Sequence, residues 1–127
     1  MKQLSKSQRV WIVVGGVALT GALLGTARAS DPTHLQRLIA TRNCVGCDLS
    51  GENLSGFGLK GSNLGNSNLT GASLYKANLV QANLTGTVLA NADLSGANLL
   101  AAIGANLSGA TTNAETTCPN AKKGPCQ

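Results

Sequence analysis

Residues 47–101 read CDLSG ENLSG FGLKG SNLGN SNLTG ASLYK ANLVQ ANLTG TVLAN ADLSG ANLLA, eleven successive fives with leucine at the centre of each. Asn or Asp precedes the leucine in eight of the eleven, and a small residue usually stands two positions before it. The candidate core consists of these central leucines: Leu49, Leu54, Leu59, Leu64, Leu69, Leu74, Leu79, Leu84, Leu89, Leu94 and Leu99. Such regular spacing has no purpose in a disordered Asn/Gly/Ser tract, so it predicts an ordered repeat.

A period of five fits neither an α-helix, which has 3.6 residues per turn, nor a β-strand, which alternates every two. It fits a chain that runs straight for a few residues and then turns, because Gly, Asn and Ser favour tight turns. Four such corners close a square of twenty residues, and successive squares stack at the strand spacing of about 4.8 Å. Leucines twenty apart, such as Leu49, Leu69 and Leu89, then form columns in the interior.

The fives resemble the A-(D/N)-L-x-x consensus of the pentapeptide-repeat family over residues 47–101. The resemblance implies an all-β fold, a right-handed quadrilateral β-solenoid. The junction CVGCDL at residues 44–49, preceded by HLQRL at residues 34–38, is similar to exported members of the family that are frequent in cyanobacteria and the thylakoid lumen. This similarity implies a periplasmic or lumenal location and leaves the biochemical role open.

The register of the repeat changes after Leu99. The next clear five is ANLSG at residues 105–109, so the step from Leu99 to Leu107 is eight residues rather than ten. This predicts a deformed corner at residues 101–104. A weak last five follows, and the predicted solenoid covers residues 44–114, with Leu107 as its last core leucine.

Residues 1–29 have the features of a secretory signal peptide, with Lys2, Lys6 and Arg9 before an apolar stretch at residues 10–25. The small-x-small run at residues 27–29 predicts cleavage after Ala29. An uncleaved anchor is the alternative, although the apolar stretch is short for a span of about 20 residues.

Beyond this segment six basic and five acidic residues remain, which gives no electrostatic reason to bind nucleic acid or an anionic membrane. Contact with a membrane is therefore expected only through the signal peptide.

Residues 30–43 are predicted to form an N-terminal cap, because the open ends of a solenoid expose core and unpaired backbone. Asp31 can cap a short α-helix at residues 32–42, with Pro32 at its first position. The apolar residues that share one face of this helix are Leu35, Leu38 and Ile39.

Export would place all four cysteines in an oxidising compartment. Cys118 and Cys126 lie eight residues apart in the tail, residues 115–127, which a disulfide between them is expected to close. Cys44 and Cys47 form a CxxC motif at the C-terminal end of the predicted helix, where the helix dipole disfavours a thiolate. A structural disulfide is the favoured prediction for this pair. A redox-active pair, free thiols and bridges to the other cysteines are the alternatives.

The sequence contains no arrangement typical of an active site. His34 is the only histidine and is expected at the surface or in the cap, so Ser and Thr in the repeats have no neighbouring base. Asp48, Glu52 and Asp93 are scattered and form no acid/base pair. We therefore predict no enzymatic activity, no cofactor, no metal site and no small-molecule substrate.

The residue after each leucine is expected to point outward. Lys60, Val80 and Leu100 are twenty apart and stack on one face, and Tyr75 and Lys76 occupy the corner that leads into it. Because most other outward residues are Ser, Thr, Asn or Gly, we predict that Tyr75, Val80 and Leu100 form a contact patch for a protein partner. Incidental variation of the surface is the alternative.

Three functional hypotheses follow from these features. The first is a non-enzymatic, exported structural or interaction module that presents solenoid faces to a protein partner. The alternative is a thiol-redox-responsive protein that uses Cys44 and Cys47. The third is a filler domain without a specific partner.

Overall fold

The computed structural model describes residues 32–126, and the predicted signal peptide with its cleavage after Ala29 lies outside the described residues, as does Asp31. The described part begins with helix α1, Pro32–Thr41, which ends one residue before the predicted boundary. Within residues 32–126 no helix combines the length and the hydrophobicity that crossing a membrane would require.

After α1 the chain winds into stacked coils joined by isolated parallel β-bridges between residues twenty apart. The bridges define four rows, which we number as sides. Side 1 comprises Asn43, Asn63, Asn83 and Ile103, and side 2 comprises Asp48, Asn68 and Val88. Side 3 comprises Asn53, Ser73, Asp93 and Thr111, and side 4 comprises Gly58, Asn78, Asn98 and Thr117. The twenty-residue coil predicted from the period of five is therefore present.

Each side contributes a single bridge residue per coil, so the described residues contain no continuous strand, in contrast to the predicted all-β class. The reason lies in the corners, where one residue in every five has a positive φ. These residues are Gly46, Gly51, Gly56, Gly61, Asn66, Gly71, Lys76, Gln81, Gly86, Asn91, Gly96 and Ala101. A left-handed residue turns the chain before a second bridge can form on the same side.

The Asn or Asp that precedes most of the central leucines stabilises these corners. Its Oδ1 accepts a hydrogen bond from the backbone N–H two residues later, as between Asn78 and Val80 at 3.1 Å and between Asn83 and Thr85 at 3.0 Å. Asn and Asp side chains characteristically bond their own backbone in this way. The consensus at this position therefore has a local structural cause.

The leucine columns fill the interior. All eleven central leucines from Leu49 to Leu99 are at most 2% exposed. Alanines two positions before them occupy the remaining inward space: Ala72, Ala77, Ala82, Ala92 and Ala97. Leu107 differs from the prediction, because it is only partly buried and packs against the core from the last coil. No coil of the described residues lies beyond it in its column.

The register change lies later than predicted. Ala101 forms an ordinary corner with φ 58°, and Ile103 still pairs with Asn83 at a spacing of twenty. The next bridge joins Asp93 to Thr111, eighteen apart, so two residues are missing between Ile103 and Thr111. The deformation therefore begins at Gly104, which has φ +65° and lies so close to Thr85 that a Cβ there would collide with it.

The solenoid is also longer than the predicted span of residues 44–114. At its start Asn43 bridges to Asn63, and Asn63 N–H donates to Arg42 O. At its end Thr117 bridges to Asn98, and the N–H of Ala101 donates to the carbonyl of residue 119. Coiled structure thus runs from residue 43 to residue 119, and the predicted tail at residues 115–127 begins several residues too early.

Candidate functional site

At both ends of the solenoid a cysteine stands at the central position of the repeat in place of leucine. Cys44 follows the bridge residue Asn43, and Cys118 follows the bridge residue Thr117, so both stand where the other repeats have leucine. Each forms a disulfide: Cys44 with Cys47, and Cys118 with Cys126, as the sequence predicted. A search for leucine could not find these terminal repeats, whereas a search that accepted cysteine at the central position would have found both.

The CxxC disulfide lies beneath α1. Cys44 is 0% exposed and Cys47 is 1% exposed, and both belong to the same cluster as Leu38 of the helix. Most corners are closed by a bond such as the one from Glu52 N–H to Leu49 O at 3.2 Å. At this corner a hydroxyl replaces that bond.

The hydroxyl belongs to Ser67 in the next coil. It accepts a hydrogen bond from Cys47 N–H at 3.1 Å and donates to the carbonyl oxygen of Cys44. The disulfide and the coil beneath it are thereby joined through one buried side chain. The arrangement is suited to holding the first corner closed.

Polar contacts attach α1 to the first coil. The Nδ1 of His34 accepts a hydrogen bond from Asp48 N–H at 3.0 Å, which gives this histidine a structural role in the cap. The Arg37 side chain donates to Asn43 O at 3.2 Å and to Val45 O at 3.0 Å. These bonds satisfy backbone groups that the first coil cannot pair with a preceding one.

The C-terminal end is covered by the chain turning back on side 4. Lys123 forms an antiparallel bridge with Thr117, and Cys118 N–H donates to Lys122 O at 2.8 Å. An open groove of about 660 Å³ remains between this segment and residues 105–108, with Leu107 among the residues that line it. The Cys118–Cys126 disulfide therefore holds the final segment along side 4, and this segment leaves the groove beside Leu107 open.

Two of the three predicted patch residues lie in one row. Val80 and Leu100 occupy the same position in successive coils, and the bond from Gln81 N–H to Leu100 O at 2.9 Å joins those coils beside them. Leu100 is 39% exposed, whereas Val80 is half-buried. Their row forms one border of side 4.

Tyr75 lies along the opposite border of side 4 and is 42% exposed. The Nζ of Lys76 lies 5.2 Å from the centroid of its ring, at a distance typical of a cation–π contact. Tyr75 follows the side 3 residues Ser73 and Leu74, so it lies at the corner between sides 3 and 4, whereas Val80 and Leu100 lie at the far end of side 4.

Sequence reasoning missed other exposed apolar residues. Ile103 is 59% exposed, and it follows Leu100 just beyond the corner at Ala101. Ile103 stands in the row of Asn63 and Asn83. Its exposure could have been predicted by continuing the repeat register through residue 104. Val88 is 49% exposed on side 2, away from the patch.

The described residues show no arrangement that would bind a metal: within residues 32–126 no three His, Cys, Asp or Glu side chains are grouped suitably.

One carboxyl group has a perturbed pKa. The Ser95 hydroxyl and then the Ser95 N–H hydrogen-bond to Asp93 and lower the pKa of its carboxyl below the usual value. This is the same corner contact that the asparagines make, so it indicates a structural rather than a catalytic carboxylate.

Comparison with protein families gives one match. The family model described as pentapeptide repeats matches residues 43–79, 53–89 and 67–111, with eight copies, and together these ranges cover more than half of the chain. A search of curated proteins returned no significant match.

Several solved structures are similar to the chain. HetL, a pentapeptide repeat protein involved in heterocyst differentiation regulation in Nostoc sp. strain PCC 7120, is 34% identical with a TM-score of 0.40, over 58% of this chain and 39% of its own. A pentapeptide repeat protein from the Arabidopsis thaliana thylakoid lumen is 26% identical with a TM-score of 0.36, over 63% of this chain and 61% of its own. The chain thus matches less than two thirds of the length of either protein.

Proposed function

Because this chain belongs to the pentapeptide-repeat family, we propose that it is a non-enzymatic, exported interaction module whose right-handed quadrilateral solenoid, capped by α1, presents its outer sides to a protein partner. Pentapeptide-repeat proteins are generally structural rather than catalytic. The observation that carries the proposal is the exposure of Tyr75 and Leu100 at the two borders of side 4, in a solenoid whose central leucines are all buried. Exposed apolar groups on a rigid surface are typical of a binding site.

The proposal of export rests on residues 1–29 and on the cysteines. Two disulfides account for all four cysteines, and disulfides persist in oxidising compartments such as the periplasm or the thylakoid lumen. Cleavage after Ala29 would leave a mature protein that starts at Ser30. The mass of the intact protein purified from its native compartment measures this directly.

The binding proposal is tested by a double variant, Val80→Ser with Leu100→Ser. The matched control is Val88→Ser, because Val88 is comparably exposed but lies on side 2. Wild-type protein and both variants are immobilised, and proteins retained from a periplasmic or lumenal extract are quantified by mass spectrometry. We expect a partner that the wild type and the control retain and the double variant loses, by tenfold or more for a loss of about 1.4 kcal/mol.

A partner retained equally by the double variant would contradict the assignment of this patch. Circular dichroism and thermal unfolding of both variants establish that the solenoid is intact. This control is needed because Val80 is half-buried and its replacement can also affect stability.

The alternative is redox chemistry at Cys44 and Cys47, which the disulfide between them permits. An attacking thiolate must reach one of the two sulfurs, and both residues are buried under α1. The redox function would therefore require the helix to move away first. Access of a reductant to this disulfide in the folded protein therefore distinguishes the two functions.

A further inference from the structure

Basic residues are concentrated along side 4. Residues 32–126 contain six Lys and Arg residues, and five of them lie on side 4 or its borders: Arg42, Lys60, Lys76, Lys122 and Lys123. Arg42 is tied to this region by a bond from its Nη1 to Lys60 O at 3.3 Å. Lys122 and Lys123 are brought there by the segment that turns back along Thr117.

Acidic residues lie mainly elsewhere. Asp48 is on side 2, Asp93 is on side 3, and Glu52 stands between those two sides. Glu115 is the exception, because its carboxylate lies beside Gly96 at the corner between sides 3 and 4. Residues 32–126 contain six basic and four acidic side chains, and their unequal distribution polarises the molecule electrically across the width of the solenoid.

The basic and the exposed apolar residues coincide. Lys60 continues the row of Val80 and Leu100, and Lys76 lies against the ring of Tyr75 on the opposite border. Between the two borders the bridge row of side 4 consists of glycine and small polar residues: Gly58, Asn78, Asn98 and Thr117. Glu115 is the one carboxylate beside these lysines, near Lys76, so the charges around the apolar groups are mainly positive. Apolar groups among mainly positive charges favour a partner with apolar groups among negative charges.

We propose that side 4 binds an acidic segment of a protein partner, in which carboxylates pair with Lys60 and Lys76 while apolar side chains contact Tyr75, Val80 and Leu100. This inference rests on the proposed function and specifies the chemistry of the partner. Charge complementarity would also steer the partner to this side, since opposite potentials raise association rates at low ionic strength.

An anionic membrane is the other surface that basic and apolar residues can bind. The geometry favours a protein. Tyr75 and Leu100 are only 42% and 39% exposed and Val80 is half-buried, so less than half of each side chain is available to enter a bilayer as an interfacial anchor does. Apolar groups along both borders of one side are suited to a chain segment laid across it.

The experiment is selection of a displayed random-peptide library on the full chain, followed by affinity measurement of the recovered peptides by titration calorimetry. We expect Asp and Glu to be enriched in bound peptides over the input, and affinity to fall as salt is raised. Lys60→Gln should weaken binding about fivefold, equal to about 1 kcal/mol. The control Thr70→Glu lowers the net charge by the same amount at the corner between sides 2 and 3, and should leave affinity unchanged.

The remaining outcomes separate this inference from the proposed function. Bound peptides without acidic enrichment that still require Val80 and Leu100 would overturn the acidic partner and leave the proposed function standing. Peptides that bind the Val80→Ser, Leu100→Ser variant as tightly as the wild type, or a library that yields no binder, would overturn both. Cosedimentation with phosphatidylglycerol vesicles that depends on Lys60 would assign side 4 to a membrane instead.

Discussion

The inward position two residues before each central leucine, and before Cys118, is mostly Cys, Ser, Thr or Ala, with Glu52 and Phe57 as exceptions. The hydrogen bonds available there decide how well a hydroxyl fits. Thr87 Oγ1 donates to Leu64 O at 2.7 Å, and Thr116 Oγ1 donates to Leu94 O at 3.0 Å. Ser67 makes the two bonds at the CxxC corner. Ser62 is equally buried, yet its hydroxyl has no hydrogen-bond partner among the described residues. A buried hydroxyl without a partner costs about 1–3 kcal/mol.

Replacing these two serines by alanine should therefore have opposite effects. Ser62→Ala removes an unsatisfied polar atom and is expected to raise the free energy of unfolding by about 1 kcal/mol. Ser67→Ala leaves Cys47 N–H and Cys44 O without their shared partner and should lower it by about 1–2 kcal/mol. Urea unfolding of the oxidised protein measures both, and a destabilised Ser62→Ala variant would show that this hydroxyl is satisfied.

At the scale of elements, the two disulfides differ in what covers them. Cys44 and Cys47 are enclosed by α1 and the first coil, where Leu38 of the helix is also fully buried. Cys126 is only partly buried, in a segment that pairs with the last coil through one antiparallel bridge. Access to a sulfur in the native state then depends on which covering element opens first.

Cys118–Cys126 should therefore be reduced before Cys44–Cys47 when the folded protein is treated with dithiothreitol. We expect a rate difference of at least about tenfold, which corresponds to about 1.4 kcal/mol of additional opening free energy at α1. Time-resolved alkylation and mass spectrometry measure the two rates, and in denaturant they should converge. Faster reduction of Cys44–Cys47 would instead support the redox alternative.

For the whole molecule, stability comes from stacking, because each coil contacts only its neighbours. Leu79 lies in a column between Leu59 and Leu99, so its side chain is covered from both directions. Leu107 lies in the final coil, where only one neighbouring coil covers it. The same side chain thus contributes differently according to its place along the stack.

Leu79→Ala should lower the free energy of unfolding by about 3 kcal/mol, within the usual range for a buried leucine. Leu107→Ala is the matched comparison and should cost about 1 kcal/mol, because less of its surface is removed from water on folding. Denaturant unfolding monitored by circular dichroism measures both. Equal losses would indicate that the C-terminal end is covered more completely than its contacts show.

The coiled fold could be predicted from the sequence because each five-residue repeat specifies its own inward residue and its own turn. Each five contains its own inward leucine, its corner residue and, in most cases, the Asn or Asp whose side chain braces that corner. The common row of Val80 and Leu100 follows from this regular period, whereas the helix was predicted from Pro32 and the amphipathic segment after it, and the disulfides from the spacing of the cysteines. The boundaries were less accurate, since cysteine at residues 44 and 118 replaces the leucine by which repeats are recognised.

Sequence alone therefore determined the coil and its core, because every repeat specifies the same turn without reference to distant residues. The tertiary structure decided what depends on contacts between coils. It located the register change beyond residue 103, covered Cys44 and Cys47 with α1, and paired the final segment with side 4. It also brought Lys122 and Lys123 to the side where the period already places Lys60 and Lys76, because the antiparallel pairing of the final segment with Thr117 is not encoded in the repeat.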